Sequence, residues 1–157
     1  MASGVVKKSV TSVDSSVEWI EKVRQECTVG QSKASLDLQY VDIGPIREWG
    51  YPVGRSQFGK WTAYHTQVWQ TRSASFADLY MVDGRFRVAC FMQILLRCQN
   101  DALIVLHDFA SRPHYAAVKE VAREIASAED LSVFQTLRYR DRSKIASILQ
   151  EYALDPA

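Results

Sequence analysis

The 157-residue chain predicts an α/β fold: a mainly parallel sheet covered by helices on both faces. Short apolar or alternating runs, the candidates for strands, take turns with longer stretches of helical periodicity, the order that feeds a parallel sheet. Four of the strand-like runs end in an aspartate, Asp14, Asp42, Asp83 and Asp108, a residue that is a poor strand former and costly to bury unpaired. A hydrophobic fraction of 47% with 24% charged residues is the make-up of a folded globular protein, and the length suits a single domain over residues 1–157.

The elements follow in order. Ser9 to Val13 alternates and is partly β-branched, which predicts a strand, and Asp14-Ser15-Ser16 is a polar corner from which a helix starts. Ser15 and Glu18 have capping-box spacing, and Val17, Ile20 and Val23 share one helical face as far as about Cys27. After the polar stretch Thr28 to Ser35, the run Leu36 to Val41 alternates as a half-buried strand and stops at Asp42-Ile43-Gly44-Pro45. Residues 44 to 61 are rich in glycine and proline and carry Trp49, Tyr51, Phe58 and Trp61, so they predict an ordered aromatic loop; Tyr64 to Trp69 reads as a short helix.

Asp78 to Val82 is the next strand, ended by Asp83-Gly84-Arg85. Phe86 to Cys98 is apolar on nearly every side and predicts a deeply packed helix. Ala102 to Leu106 is a continuous apolar run, short enough for a central strand, and it ends in His107-Asp108. Ser111 and Pro113 fit a helix start, with Tyr115, Val118, Ala122 and Ile125 as its apolar stripe. Leu131 to Leu137 is a further strand, and a last helix turns Ile145, Ile148, Leu149 and Tyr152 inward before Pro156.

A formal net charge of +1 gives no field that would draw the chain to nucleic acid or to an anionic membrane, so neither partner is expected. Arg138, Arg140 and Arg142 alternate and read as a solvated strand face. Cys27, Cys90 and Cys98 have no zinc-ligand spacing and an odd count, which favours a reducing compartment. Met1 to Lys8 lacks the apolar segment of a secretory signal, and no run approaches the roughly 18 apolar residues of a membrane span, so the cytoplasm is expected.

Parallel strands with right-handed crossovers bring their carboxyl ends to one edge, where ligands bind. His107 beside Asp108 suits a general base, because imidazole titrates near neutrality and a carboxylate orients it; a hydrogen-bonded structural histidine is the plainer reading. Asp14 suits a helix cap equally well, and Asp83-Gly84-Arg85 a tight turn with an ion pair. Trp49, Trp61 and Trp69 make either an aromatic wall for a planar substrate or, more simply, packing under the loop.

Val41-Asp-Ile-Gly-Pro45 with Trp49-Gly-Tyr-Pro52, Val82-Asp-Gly-Arg-Phe-Arg-Val-Ala-Cys90 and His107-Asp-Phe-Ala-Ser-Arg-Pro-His-Tyr115 together resemble a family of class I methyltransferase-like proteins with a Rossmann-like sheet, over about residues 9 to 140. The resemblance implies S-adenosylmethionine as cofactor and an oxygen or nitrogen of a small molecule as methyl acceptor. It implies that Asp14 accepts hydrogen bonds from the ribose hydroxyls and that Asp42 and Ile43 lie near the adenine. Asp83, His107 and Asp108 are then the candidates for removing the acceptor's proton, and Trp49, Arg85, His114 and Tyr115 for contacting it. Asp83 and Asp108 also match carboxylates of metal-dependent relatives, but Phe109 stands where those carry an amide or second acid, so no metal is expected.

The family's first strand and glycine-rich cofactor turn have no counterpart before Asp14, and Met1 to Val6 resembles the end of the first helix instead. The sheet is therefore expected to be incomplete on its N-terminal side, with weak or absent cofactor binding. It is also expected to have open edges through which the chain associates with itself or with another chain.

Overall fold

The computed structural model describes residues 8–29 and 34–157, so the expected helix end at Met1 to Val6 lies outside the described residues. The chain forms two compact units, one running to Val68 and the other spanning Trp69–Ala157.

In the first unit, strand β1 (Ser9–Asp14), helix α1 (Val17–Val29) and strand β2 (Ser35–Tyr40) make a β-α-β unit. The strands run parallel in register from Ser9 opposite Ser35 to Asp14 opposite Tyr40. The helix cap is Ser16, one place later than the Ser15–Glu18 spacing predicts. Asp14 Oδ1 accepts the Ser16 N–H at 2.7 Å, which closes the corner as an Asx turn, and Ser16 Oγ then accepts the Trp19 N–H at 3.1 Å. Ser15 turns inward and is buried. Of the predicted inward face, Ile20 is buried while Val17 is exposed. The other buried residues of this unit include Val41, Ile43, Trp61 and Tyr64.

The predicted aromatic loop is ordered. Ile46 bridges Pro52, the Arg47 N–H donates to Tyr51 O at 2.8 Å, and the Val53 N–H donates to Pro45 O at 2.8 Å. Helix α2 (Phe58–Thr66) follows, starting earlier than the sequence suggests.

The second unit holds a four-stranded sheet whose strands lie side by side in the order Leu79–Val82, Leu103–Leu106, Leu131–Thr136 and Ala122–Ala128. Strand β3 (Leu79–Val82), helix α3 (Arg87–Arg97) and strand β4 (Leu103–Leu106) repeat the parallel β-α-β pattern, and β4 and β6 (Leu131–Thr136) then pair antiparallel. The mainly parallel expectation thus holds for the two β-α-β units and gives way where the chain closes with a hairpin of β5 (Ala122–Ala128) and β6.

That hairpin overturns the helix predicted from Ser111 to Ile125. Pro113–Glu120 is a 3-10 helix, which ends where the Val121 N–H bonds Val118 O, and Ala122 then enters β5. A stripe of Tyr115, Val118 and Ala122 fits one helix by spacing alone, but here it spans two elements. The open side of β6 supplies ladder hydrogen bonds, Glu129 at φ 53° makes the tight turn, and a bulge between Glu124 and Ala126 leaves Ile125 exposed.

Helix α3 is buried on nearly every side, as its composition predicts: Val88, Ala89, Phe91, Met92 and Leu95 are all in the core. Phe91 and Phe109 each meet Phe134 of β6 edge to face, with ring centres 5.2 Å apart. Each buried phenylalanine contributes roughly 1.5–3 kcal/mol by leaving water. Ile145 and Ile148 of helix α4 (Arg142–Tyr152) complete this core.

Of the three arginines read as a solvated strand face, Arg138 is exposed, while Arg140 and Arg142 do something else. Arg140 Nη1 donates to Leu95 O at 2.8 Å and to Cys98 O at 2.9 Å, and Arg142 Nη1 donates to Leu96 O at 3.3 Å. They satisfy the orphan carbonyls at the end of α3, where a cation also suits the helix dipole. Among the described residues, no helix is long and apolar enough to cross a membrane.

Candidate functional site

Because β3 and β4 are parallel, Asp83 and the pair His107-Asp108 leave the sheet at the same edge. His107 Nδ1 lies 2.9 Å from Asp83 Oδ1 and 2.9 Å from Asp108 Oδ1. The distances are those of hydrogen bonds, but neither contact has hydrogen-bond geometry, and both stand as close approaches of the ring nitrogen to a carboxylate oxygen. Nδ1 is shut off from solvent, although 38% of the side chain as a whole is exposed. Two non-glycine residues around the cluster hold left-handed backbone, Phe86 at φ 54° and Asp108 at φ 57°. Such conformations cost about 1–3 kcal/mol each and gather at functional sites.

The group that binds this cluster together is Arg87, which the sequence reading did not single out. Its side chain is 3% exposed. Nη1 is 2.8 Å from Asp108 Oδ2 and donates to His107 O at 2.7 Å, Nη2 is 3.5 Å from Asp83 Oδ1, and Nε donates to Gly84 O at 2.8 Å. Arg112 Nη2 adds a second contact to Asp108 Oδ2 at 3.3 Å. A signal for Arg87 was present: it opens α3, where a cation opposes the helix dipole, so a guanidinium there needs carboxylates nearby.

The other residues predicted for the second unit lie elsewhere. Arg85 is buried and reaches Pro156 O at 3.5 Å, which ties it to the C-terminal end of the chain. Tyr115 is fully buried, with the guanidiniums of Arg87 and Arg112 over its ring at 5.9 and 5.8 Å, and so belongs to the support of the site. His114 is exposed and stacks edge to face on Tyr115.

In the first unit, Asp14 closes the strand-to-helix corner, as described above. Asp42 Oδ1 accepts the Gly44 N–H at 2.8 Å and Oδ2 takes the Lys60 ammonium at 2.7 Å. The lysine bond first, and the Gly44 N–H second, hold this carboxyl below the usual carboxylate range. Ile43 is buried. Trp49 does not pack: at the tip of its loop it is 84% exposed, with backbone at φ 62°. Trp61 is buried, and Trp69 of the second unit leans on Tyr80 with ring centres 6.1 Å apart.

These partners bear on the groups that the resemblance implies. S-adenosylmethionine needs carboxylates free for its hydroxyls and glycines that let it approach. Asp14 and Asp42 are both engaged by the protein, and a Cβ on Gly44 would fall 2.6 Å from Gln57 Cβ, so that glycine makes room for a side chain and not for a ligand. Both carboxylates would have to share with these partners any hydroxyl they accept. Asp83 and Asp108 share the Arg87 guanidinium as their counter-cation, and among the described residues no group of three or more His, Cys, Asp or Glu is placed to hold a metal ion.

No protein-family model matches the sequence, and no curated protein is similar enough to match. The structure is similar to the crystal structure of a methyltransferase-like protein from Silicibacter pomeroyi, with a TM-score of 0.85 and 23% identity over 99% of this chain and 83% of that one. At that identity the likeness is one of fold: this chain has a methyltransferase-like α/β architecture.

Proposed function

We propose that this chain is a methyltransferase-like protein that keeps the proton-accepting part of a methyl-transfer site and has lost affinity for the cofactor. Its ancestor passed a methyl group from S-adenosylmethionine to an oxygen or nitrogen of a small molecule. The observation that carries the reading is the Asp83-His107-Asp108 cluster on Arg87, at the carboxyl ends of two parallel strands, where α/β folds bind ligands. A base placed there takes the proton from an acceptor hydroxyl or amine as that atom becomes a nucleophile.

Titration calorimetry with S-adenosylmethionine tests the cofactor half. No heat beyond dilution is expected at ligand concentrations up to about 1 mM, which corresponds to a binding free energy weaker than roughly 4 kcal/mol. Sub-micromolar affinity would overturn the loss.

A second reading, an interaction domain that completes its sheet with another chain, is favoured by β3. It is the outer strand of its sheet, and it carries Leu79 at 56% and Met81 at 61% exposure with no charge, proline or bulge to protect the edge. Light scattering across a concentration series should then show a dimer that Met81→Glu dissolves. A monomer at every concentration that also binds no nucleotide-like ligand counts against this reading.

A further inference from the structure

We infer that Arg87 is the positioning residue of the Asp83-His107-Asp108 cluster. Through the two carboxylates it holds His107 with the proton on Nδ1, so that Nε2 is the atom left to accept one. The use of Nε2 as a base rests on the function proposed above; the tautomer is a property of the folded chain alone.

Ionised carboxylate oxygens only accept. Two of them stand 2.9 Å from Nδ1, and a bare nitrogen lone pair there would face theirs. The contact is favourable only when Nδ1 carries hydrogen. Free imidazole has no such constraint, so the tautomer is imposed by whatever keeps both oxygens in place.

Arg87 does this from the buried side. Its two bonds to the backbone, at Gly84 O and His107 O, fix the guanidinium between the turn after β3 and the turn after β4. From that anchor it reaches Asp108 Oδ2 and, at longer range, Asp83 Oδ1. The other oxygen of Asp108 is then held 2.9 Å from Nδ1. A lysine offers one point charge and cannot span four acceptors in one plane.

The charge matters as well as the geometry. Asp83 and Asp108 face the imidazole together with Arg87 and Arg112, and Asp130, bound by Ser111, is the other carboxylate that senses it. Two guanidiniums, those of Arg87 and Arg112, stand against the two nearest carboxylates. When Nε2 takes a proton, the new charge meets carboxylates already in place on the other side of the ring.

The test is nitrogen NMR of histidine-labelled protein under conditions where the ring is neutral. His107 is one of three histidines, and its signals are assigned by their loss in His107→Gln. The native chain is expected to show a pyrrole-type Nδ1 and a pyridine-type Nε2 for this residue. Arg87→Gln and Arg87→Lys should both shift these two resonances toward each other, as the tautomers mix. Asp83→Asn turns a half-exposed carboxylate into a neutral amide and should do the same in part, and it serves if the arginine variants do not fold. A native His107 protonated on Nε2, or an unmixed Nδ1–H form in a folded Arg87→Gln protein, overturns the inference. Since the readout needs no cofactor, it is independent of whether S-adenosylmethionine binds.

Discussion

Asp42 and Asp108 hold the same kind of position, just beyond the end of a parallel strand, but they are bound in different ways. Asp42 is exposed, and its partners are a surface lysine and an N–H two residues away. Asp108 is partly buried, its backbone is left-handed, and its partners are a buried guanidinium, a second guanidinium and an imidazole. A strand end therefore supplies only the place for a carboxylate. Whether the carboxylate becomes part of a site depends on a cation arriving from another element, here from the first turn of α3.

The largest expected contrast between the two units is in cysteine reactivity. Cys90 sits on α3, and although part of its surface is accessible, the burial of its sulfur pushes the thiol up to about 12. At pH 8 that is roughly 1000-fold less thiolate than an ordinary thiol near 9 would have, and the thiolate is what reacts. Cys27 of the first unit, by contrast, is partly exposed. Mass spectrometry after brief iodoacetamide treatment should find Cys27 modified and Cys90 not. Equal labelling would mean that the end of α3 opens readily, and the cluster with it.

Next is stability. Arg87→Met leaves Asp108 with only the longer Arg112 contact and the imidazole, and two backbone carbonyls without their donor, and it should lower the free energy of unfolding by about 3 kcal/mol in a urea titration. Lys60→Met, which breaks the exposed pair with Asp42, should move the urea midpoint far less. Similar losses in both variants would erase the distinction drawn between the two strand ends.

Much of this arrangement can be read in the sequence, and the parts that cannot share a cause. The strand ends at Asp14, Asp42, Asp83 and His107-Asp108 were legible because alternation and apolar runs are local signals. The hairpin of β5 and β6 was not: Ala122-Arg-Glu-Ile-Ala-Ser-Ala128 has little strand character, and it becomes a strand because β6 offers it a ladder. Arg85 and Arg87 look alike in the sequence. Only the placing of the α3 start sends one to Pro156 O and the other between the carboxylates. Likewise Trp49 and Trp61 are both aromatic loop residues by composition, and the turn geometry at φ 62° puts the first outside.

Smaller effects are expected at the helix caps, where the two units are alike. Ser16 caps α1, and Asp141 caps α4 by accepting the Lys144 N–H at 3.0 Å. Ser16→Ala and Asp141→Ala should each cost about 1 kcal/mol in the same urea titration. A much larger loss in only one of them would show that its unit depends on that helix in a way the cap alone does not explain.

The smallest effect is the titration of Asp42. Its folded-state pKa lies below the ordinary 3.8, chiefly through the Lys60 bond. The pair therefore favours the fold at pH above that ordinary value, and the benefit fades as pH falls through the lower, folded one. Because the pair is exposed, salt should weaken it. Carboxyl-carbon NMR should find the Asp42 midpoint moving up toward 3.8 in about 1 M salt, and moving up again in Lys60→Met at low salt. If neither change moves it, the Gly44 N–H holds the carboxylate alone and Lys60 is a bystander, and Asp42 would then be freer to meet a ligand than its ion pair suggests.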